Sequence, residues 1–220
     1  MNSIYIPTQG PVDWQKLLAE PERHWKQGYS AHALATCWEC AKGIPPEIAK
    51  LFLPHFDKVE LLLGIPEFKV ALPGGRRESQ NDLFCLLRAD GNLMVLMVEG
   101  KVEEPFDSTL AEWLRDASDG KRERLAFVTQ LLGLNSISPS IRYQLLHRTA
   151  SAVLTARRFG SSRAAMIVHS FSEGRSWLAD FQAFTQLYGA ATDHDQMVKV
   201  DLPDQMELYL GWASGISNPK

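Results

Sequence analysis

The sequence predicts an α/β domain, equally describable as α+β, in which helices flank a central mixed β-sheet. Apolar runs of strand length alternate along the chain with segments of helical periodicity. An Asp-Gly pair, the signal of a tight hairpin, joins two of the apolar runs in "LLRADGNLMV". The chain has 220 residues, 45% of them hydrophobic, which suits a single domain over residues 1–220.

The first elements are predicted from residues that start and stop helices. Residues 1–28 contain Pro and Trp and are expected to wrap the surface. A helix is predicted from Ser30, a good N-cap, to Gly43. A short helix follows in "PPEIAKLFL", which has Pro at its start. The apolar run after it is ambiguous, and a strand is predicted near Phe68–Leu72.

The remaining elements continue this alternation. "DLFCLLR" and "LMVLMVEGKV" are predicted as the two strands of the hairpin. "SDGKRERLAFVTQLLGL" has helical spacing, and "PSIRYQLLHRTASAVLTARRFG" is a longer helix that ends at Gly160. "RAAMIVHSF" predicts a fully buried strand, "SWLADFQAFTQLYG" another helix, and "QMELYLGWAS" a strand that closes the sheet.

Composition and charge exclude several classes of protein. The formal net charge of −3 gives the whole chain no electrostatic footprint for nucleic acid. No apolar run approaches the roughly 18 residues that span a membrane. The N-terminus lacks the charged and apolar regions of a signal peptide, and three cysteines are too few for a disulfide framework. A cytoplasmic protein is therefore expected.

The cysteines and histidines do not by themselves predict a site. Cys37 and Cys40 form a C-x-x-C, but zinc needs four ligands and no second pair follows in the sequence. Their position within a predicted helix favours a structural role. His147 and His169 are also interpreted as structural, because the chain has neither a G-x-S-x-G nucleophile turn nor a phosphate-binding loop.

Charged residues at the open end of the hairpin are unusual for a buried strand pair. Asp82 begins one strand, while Glu99 and Lys101 end the next, two positions apart and therefore on one face. Asp82 and Glu99 lie at similar distances from the turn, so antiparallel pairing makes them near neighbours. Burying these charges is costly unless a divalent cation offsets the cost. Mg²⁺ or Mn²⁺ beside a lysine suits phosphodiester hydrolysis. The structural alternative is that Glu99 and Lys101 form a surface ion pair and that Asp82 is a cap or turn residue.

"ND" at the start of one strand and "VEGK" at the end of the next resemble the motif of the PD-(D/E)XK nuclease superfamily. The resemblance implies a restriction-endonuclease-like core over residues 30–171, with residues 172–220 as a C-terminal helix and strand extension. It implies that Asp82, Glu99 and the main-chain carbonyl of Gly100 are metal ligands. Lys101 would be the catalytic lysine.

The resemblance also implies roles for residues on two helices. Many members carry a glutamate on the first core helix, and Glu39 in "CWECAK" would be that ligand. Some carry a Gln or Arg in the helix after the lysine strand, for which Gln130, or less closely Arg124, is the candidate. The chain departs from the family at Asn81, which stands where a proline often precedes the acid.

The activity implied is that of a Mg²⁺- or Mn²⁺-dependent nuclease acting on DNA, with water attacking phosphorus and Lys101 assisting. Homodimers are common among such enzymes. Arg76 and Arg77, in a loop ahead of Asp82, either lie within reach of a substrate phosphate or form a basic surface turn. Other basic residues, Arg142 and Arg163 among them, either form one positive face for DNA or are scattered ion pairs. The alternative function is an inactive relative that binds nucleic acid or a protein partner.

Overall fold

The computed structural model describes residues 8, 10–18 and 20–216, which contain one six-stranded mixed sheet with helices packed on both faces. The predicted α/β class is confirmed. No helix among these residues is long and apolar enough to cross a membrane. The strands are β1 (Val59–Val70), β2 (Ser79–Ala89), β3 (Asn92–Lys101), β4 (Arg163–Ser170), β5 (Gln196–Asp201) and β6 (Glu207–Ser214).

The α-helices are α1 (Pro21–His24), α2 (Ser30–Ala41), α3 (Pro46–Phe52), α4 (Leu110–Leu114), α5 (Asp119–Leu131), α6 (Tyr143–Arg158) and α7 (Leu178–Thr185). Short 3₁₀ helices cover Pro11–Leu17, Gln186–Tyr188 and Pro203–Gln205. The helices α2 and α6 cover opposite faces of the central strands.

The strands lie in the order β1-β2-β3-β4-β6-β5. β1, β2 and β3 form an antiparallel meander, β4 is parallel to both β3 and β6, and β5 is antiparallel to β6. The crossover from β3 to β4 runs through α4, α5 and α6, as a parallel pair requires. β3 is therefore a central strand, and eight of its ten residues are buried.

The predicted hairpin is confirmed at the β2–β3 turn. Asp90 and Gly91 both have positive φ values, 46° and 82°, as the favoured two-residue hairpin turn requires. The Asp90 carboxylate also accepts a hydrogen bond of 2.8 Å from the backbone N–H of Lys58. The turn thus secures the start of β1 as well as the pairing of β2 with β3.

Alternation along the strands divides the hydrophobic core between two layers. On β3, Val95 and Met97 pack towards α5, α6 and α7, whereas Leu96 and Val98 pack towards α2 and α3. Residues 99 and 101 continue the first set and residue 100 the second, because side chains alternate between faces. Any site built on Glu99 and Lys101 must therefore lie on the α6 face of the sheet.

Three sequence predictions differ from the structure. β1 starts at Val59 instead of near Phe68, because a bulge between Leu61 and Leu63 interrupts its alternation. β5 was not predicted, since it is a short edge strand and half of its residues are exposed. β6 was expected to close the sheet but lies between β4 and β5.

The surface wrap predicted for residues 1–28 falls partly outside the described residues. Within them, Trp14 belongs to the core on the α2 face and is only 3% exposed. This part of the chain therefore contributes to the core as well as covering it.

Candidate functional site

The start of β2 and the end of β3 border a cavity of about 740 Å³. The two strands are antiparallel, and their pairing extends to Leu83 opposite Val98. The next residues outward are Asp82 and Glu99, which line the cavity together with Lys101. The structure thus brings together the three charged residues that the hairpin predicted.

Glu99 is the most heavily bonded carboxylate of the cavity and is 2% exposed. Its Oε1 accepts hydrogen bonds from Lys101 Nζ at 2.9 Å and from Gln144 Nε2 at 2.6 Å. Its Oε2 accepts one from Arg148 Nε at 2.6 Å. Burial alone would raise the pKa of Glu99, but Arg148 and Lys101 outweigh it and hold the pKa below its ordinary value. Glu99 is therefore an ionised, fully paired group.

Asp82 is less completely neutralised. Its Oδ2 accepts a 2.8 Å hydrogen bond from the backbone N–H of Gly100, while its Oδ1 lies 3.9 Å from an Arg148 guanidinium nitrogen. Burial and the charge of Glu99 raise the pKa of Asp82 to about 7. The N–H and C=O of one strand residue point to the same side, so the Gly100 carbonyl also faces β2. A methyl group on Gly100 would lie 3.5 Å from Asp82 Oδ2 and 3.4 Å from Leu34 Cβ.

A third carboxylate, Glu67 of β1, lines the same cavity and was missed in the sequence. Pro66 pairs with Leu83 and Phe68 with Asn81, so Glu67 lies across from Asp82. Its backbone has a φ of 54°, an unusual value for a residue other than glycine. Burial and the charge of Asp82 raise the pKa of Glu67 to about 8. No sequence signal marks it, because it becomes a neighbour only through the register of β1 against β2.

Gln144 and Arg148 of α6 supply donors from above the sheet and were also not predicted as site residues. They lie four positions apart and therefore on one face of the helix. Arg148 is 8% exposed, and one of its nitrogens lies 3.4 Å from Ser79 Oγ, which in turn contacts His147 Nδ1 at 2.8 Å. The sequence signal that could have identified Gln144 and Arg148 is their spacing of four positions, which places two polar side chains on one face of a mostly buried helix.

The structure does not bring Glu39 or Gln130 to the cavity. Glu39 lies on α2, which packs on the opposite face of the sheet, and its Oε1 accepts hydrogen bonds from Trp14 Nε1 at 2.8 Å and Thr8 Oγ1 at 2.5 Å. Gln130 is exposed on α5, away from the cavity lining. Gln144 of α6 occupies the place that the sequence assigned to Gln130, because α6 and not α5 crosses above the site.

Arg124, the second candidate on that helix, has a structural role. It is 9% exposed and donates to the backbone carbonyls of Leu72, Pro73 and Gly75 at 2.9–3.1 Å. Arg124 thus holds the loop between β1 and β2 and is not among the residues that line the cavity.

Several of the basic residues that might have formed one positive face are engaged in ion pairs. Arg142 pairs with Asp180, Arg163 with Glu207 and Arg157 with Asp204. Lys26 does line the cavity. The arrangement agrees better with scattered ion pairs than with a continuous DNA-binding face.

The donor set of the cavity fits a hard divalent cation. Glu67, Asp82, Glu99 and the Gly100 carbonyl offer oxygen atoms, which Mg²⁺ and Mn²⁺ prefer. Burial and neighbouring carboxylates raise the pKa values of Glu67 and Asp82 above their ordinary range, even with Arg148 and Lys101 nearby. Additional positive charge would therefore be stabilised here.

Comparison with known protein families gives a match over nearly the whole chain. The model of a family described as a domain of unknown function (DUF6946) matches residues 7–217. No curated protein and no solved structure matches the chain.

Proposed function

The chain belongs to the DUF6946 family, and we propose that it is a divalent-metal-dependent phosphodiester hydrolase, a nuclease that acts on DNA. The observation that carries this proposal is the convergence of Asp82, Glu99 and Lys101 on one cavity. The order of α2, three antiparallel strands, α6 and β4 also supports it, because the resemblance to PD-(D/E)XK nucleases implies that order.

Glu67, Asp82, Glu99 and the Gly100 carbonyl would hold the cation. Bound Mg²⁺ or Mn²⁺ would supply a Lewis acid for a phosphate oxygen and lower the pKa of an attacking water. Arg148 Nε now donates to Glu99 Oε2, so the guanidinium would compete with a cation for that oxygen. A guanidinium released there is suited to a phosphate of the substrate.

Lys101 is held where it can act on a substrate phosphate. Its ammonium donates to Glu99 and lies 5.0 Å from the centre of the Phe106 ring, which is itself buried. These contacts fix the side chain within the cavity. From this position the ammonium can donate a hydrogen bond to a phosphate oxygen and stabilise the negative charge that develops during hydrolysis.

DNA as the substrate rests on the resemblance. The cavity is open enough to admit a phosphate and adjoining sugar, and Lys26 on its wall offers a contact to the backbone. Exposed Arg76, in the loop between β1 and β2, offers another. A homodimer and a cytoplasmic location stay predictions from the sequence.

One observation favours the alternative, a protein of this fold that binds nucleic acid or a protein partner without cutting. Glu99 already accepts three hydrogen bonds, and Arg148 approaches both Glu99 and Asp82. A permanent Arg148 bridge would neutralise this pair without any metal.

Calorimetric titration with Mn²⁺ distinguishes the two functions. We expect the wild type to bind Mn²⁺ and Asp82→Asn and Glu99→Gln to lose at least tenfold in affinity, since each removes a ligand charge. Glu60→Gln is the matched control, because Glu60 is a carboxylate of β1 paired with Lys58 outside the cavity. Cleavage of DNA should fall with Mn²⁺ affinity in the same variants. Absence of Mn²⁺ binding to the folded wild type, repeated with uncleavable DNA present, would favour the alternative.

A further inference from the structure

A second cluster of potential metal ligands lies on the opposite face of the sheet from the acidic cavity. It consists of Cys37 on α2, Glu47 on α3 and His169 on β4. Their ligand atoms all lie within 4.8 Å of one another. Cys37 is 6% and His169 0% exposed, while the Glu47 side chain is 22% exposed. The fold thus supplies Cys37 with partners that its C-x-x-C motif lacks in the sequence.

Hydrogen bonds within the cluster converge on Glu47. His169 Nε2 lies 3.0 Å and Cys37 Sγ 3.4 Å from Glu47 Oε1, and Trp38 Nε1 lies 3.3 Å from His169 Nδ1. An indole N–H can only donate, so His169 accepts at Nδ1 and carries its proton on Nε2. Burial opposes ionisation of Glu47, but its hydrogen bond with His169 lowers its pKa to about 2. One carboxylate is therefore surrounded by two side chains that can each bind a transition metal.

We propose that Cys37, Glu47 and His169 form a binding site for Zn²⁺. Sulfur, carboxylate oxygen and imidazole nitrogen are the three ligand types that zinc uses in proteins. One thiolate and one carboxylate balance the charge of the ion, so the loaded site is neutral in its buried surroundings. Cys40 is not part of the group, and water completes four ligands from the exposed side of Glu47.

Zinc binding requires a defined rearrangement of protons. The thiol proton of Cys37 is released to solvent, and the imidazole proton of His169 moves from Nε2 to Nδ1. Nδ1 can then no longer accept from Trp38, so the indole must turn or lose its partner. Trp38 therefore competes with the metal for the tautomer of His169, and its fluorescence should report binding.

The ligand types separate this site from the acidic cavity. The cavity on the α6 face offers oxygen ligands only, whereas the cluster on the α2 face includes a thiol. Co²⁺ is a suitable probe, because coordination by a thiolate gives it a charge-transfer absorption that oxygen ligands do not give. Zn²⁺ binding by the cluster can therefore be tested independently of the proposed nuclease activity.

The experiment titrates reduced full-length protein with Co²⁺ and then displaces it with Zn²⁺. We expect the wild type to gain the thiolate absorption, to lose it on adding Zn²⁺, and Cys37→Ala to lack it. Cys85→Ala is the matched control, since Cys85 is likewise buried in the core on the α2 face. Absence of the absorption in folded wild type, or its persistence in Cys37→Ala, would overturn the proposal.

Trp38→Phe gives a second test that does not remove a ligand. Without the competing donor, Co²⁺ should bind about fivefold more tightly, the factor that one ordinary hydrogen bond represents. The Co²⁺-dependent change in tryptophan fluorescence should disappear in the same variant. Unchanged or weaker Co²⁺ binding by folded Trp38→Phe would contradict the site as described.

Discussion

Glu67 lies across the β1–β2 pair from Asp82, and its own backbone is in the left-handed region at a φ of 54°. Neither feature favours folding, because two carboxylates repel and a positive φ strains a residue other than glycine. Gln80 Nε2 stabilises Glu67 with a hydrogen bond of 2.6 Å. Strain beside like charges at the wall of a cavity agrees with the proposed role of Glu67 as a cation ligand.

The first prediction concerns the pH dependence of stability without metal. The folded-state pKa values, about 8 for Glu67 and about 7 for Asp82, lie above the unfolded values near 4. The folded protein thus binds more protons, so this pair destabilises it increasingly as pH rises from about 4 to about 8. Glu67→Gln should remove much of that loss and add about 1–2 kcal/mol to the free energy of unfolding at pH 8.

Denaturant unfolding in EDTA at pH 5 and pH 8 measures this effect. Glu60→Gln is the control, because Glu60 is a partly exposed carboxylate of the same strand. It should change stability by less than about 0.5 kcal/mol at either pH. A Glu67→Gln gain that is equal at both pH values would show that charge repulsion is not its source.

The second prediction concerns Arg148, which compensates the buried charge of Glu99 and approaches Asp82. Arg148→Met should destabilise the metal-free protein by about 3 kcal/mol or more, because it leaves buried carboxylates unpaired. Mn²⁺ should restore much of that loss and bind the variant more tightly than the wild type, since no guanidinium competes for the carboxylates. Thermal melts with EDTA and with Mn²⁺ measure both effects.

Arg142→Met is the matched control for Arg148. Arg142 also lies at α6 and pairs with Asp180, but at a partly exposed position outside the cavity. Arg142→Met should lower the free energy of unfolding only slightly, and Mn²⁺ should not change that decrease. Failure of Mn²⁺ to stabilise Arg148→Met would point to a permanent arginine bridge and so to the non-catalytic function.

The sequence predicted those site residues whose relative positions are set by residues close to them in the chain. Asp82, Glu99 and Lys101 were accessible because one tight turn fixes the register of β2 against β3. Glu67 was not, because a bulge in β1 hides which of its residues face the cavity. The α/β class followed from the same local patterns, whereas β5 is a short edge strand in which Val198 and Val200 alternate with charged residues.

The helical residues show where sequence reasoning reached its limit. Periodicity predicted that α2 and α6 exist but not which face of the sheet each one covers. Glu39 was assigned to the site, although α2 packs against the opposite face. Gln144 and Arg148 were not assigned to it, although α6 crosses above Glu99. Such assignments depend on tertiary packing, which local sequence patterns do not determine.

The third prediction concerns Lys101. In the proposed mechanism its ammonium stabilises charge on the phosphate, so Lys101→Met should lower the DNA cleavage rate about 100-fold or more. Mn²⁺ affinity should change by less than about threefold, because Gln144 still holds Glu99 Oε1. Lys69→Met, at an exposed position of β1, is the control. Cleavage at the wild-type rate by Lys101→Met would remove Lys101 from the mechanism.

The last prediction compares two glutamines on neighbouring helices. Gln144 Nε2 donates to Glu99 Oε1 at 2.6 Å, whereas Gln130 is exposed and outside the cavity. Gln144→Ala should lower Mn²⁺-dependent cleavage by roughly tenfold, the loss expected for one hydrogen bond to a charged group. Gln130→Ala should leave it unchanged. The comparison needs only initial cleavage rates at saturating Mn²⁺, with melting temperatures to confirm folding. A larger effect from Gln130 than from Gln144 would mean that α5, not α6, serves the site during cleavage.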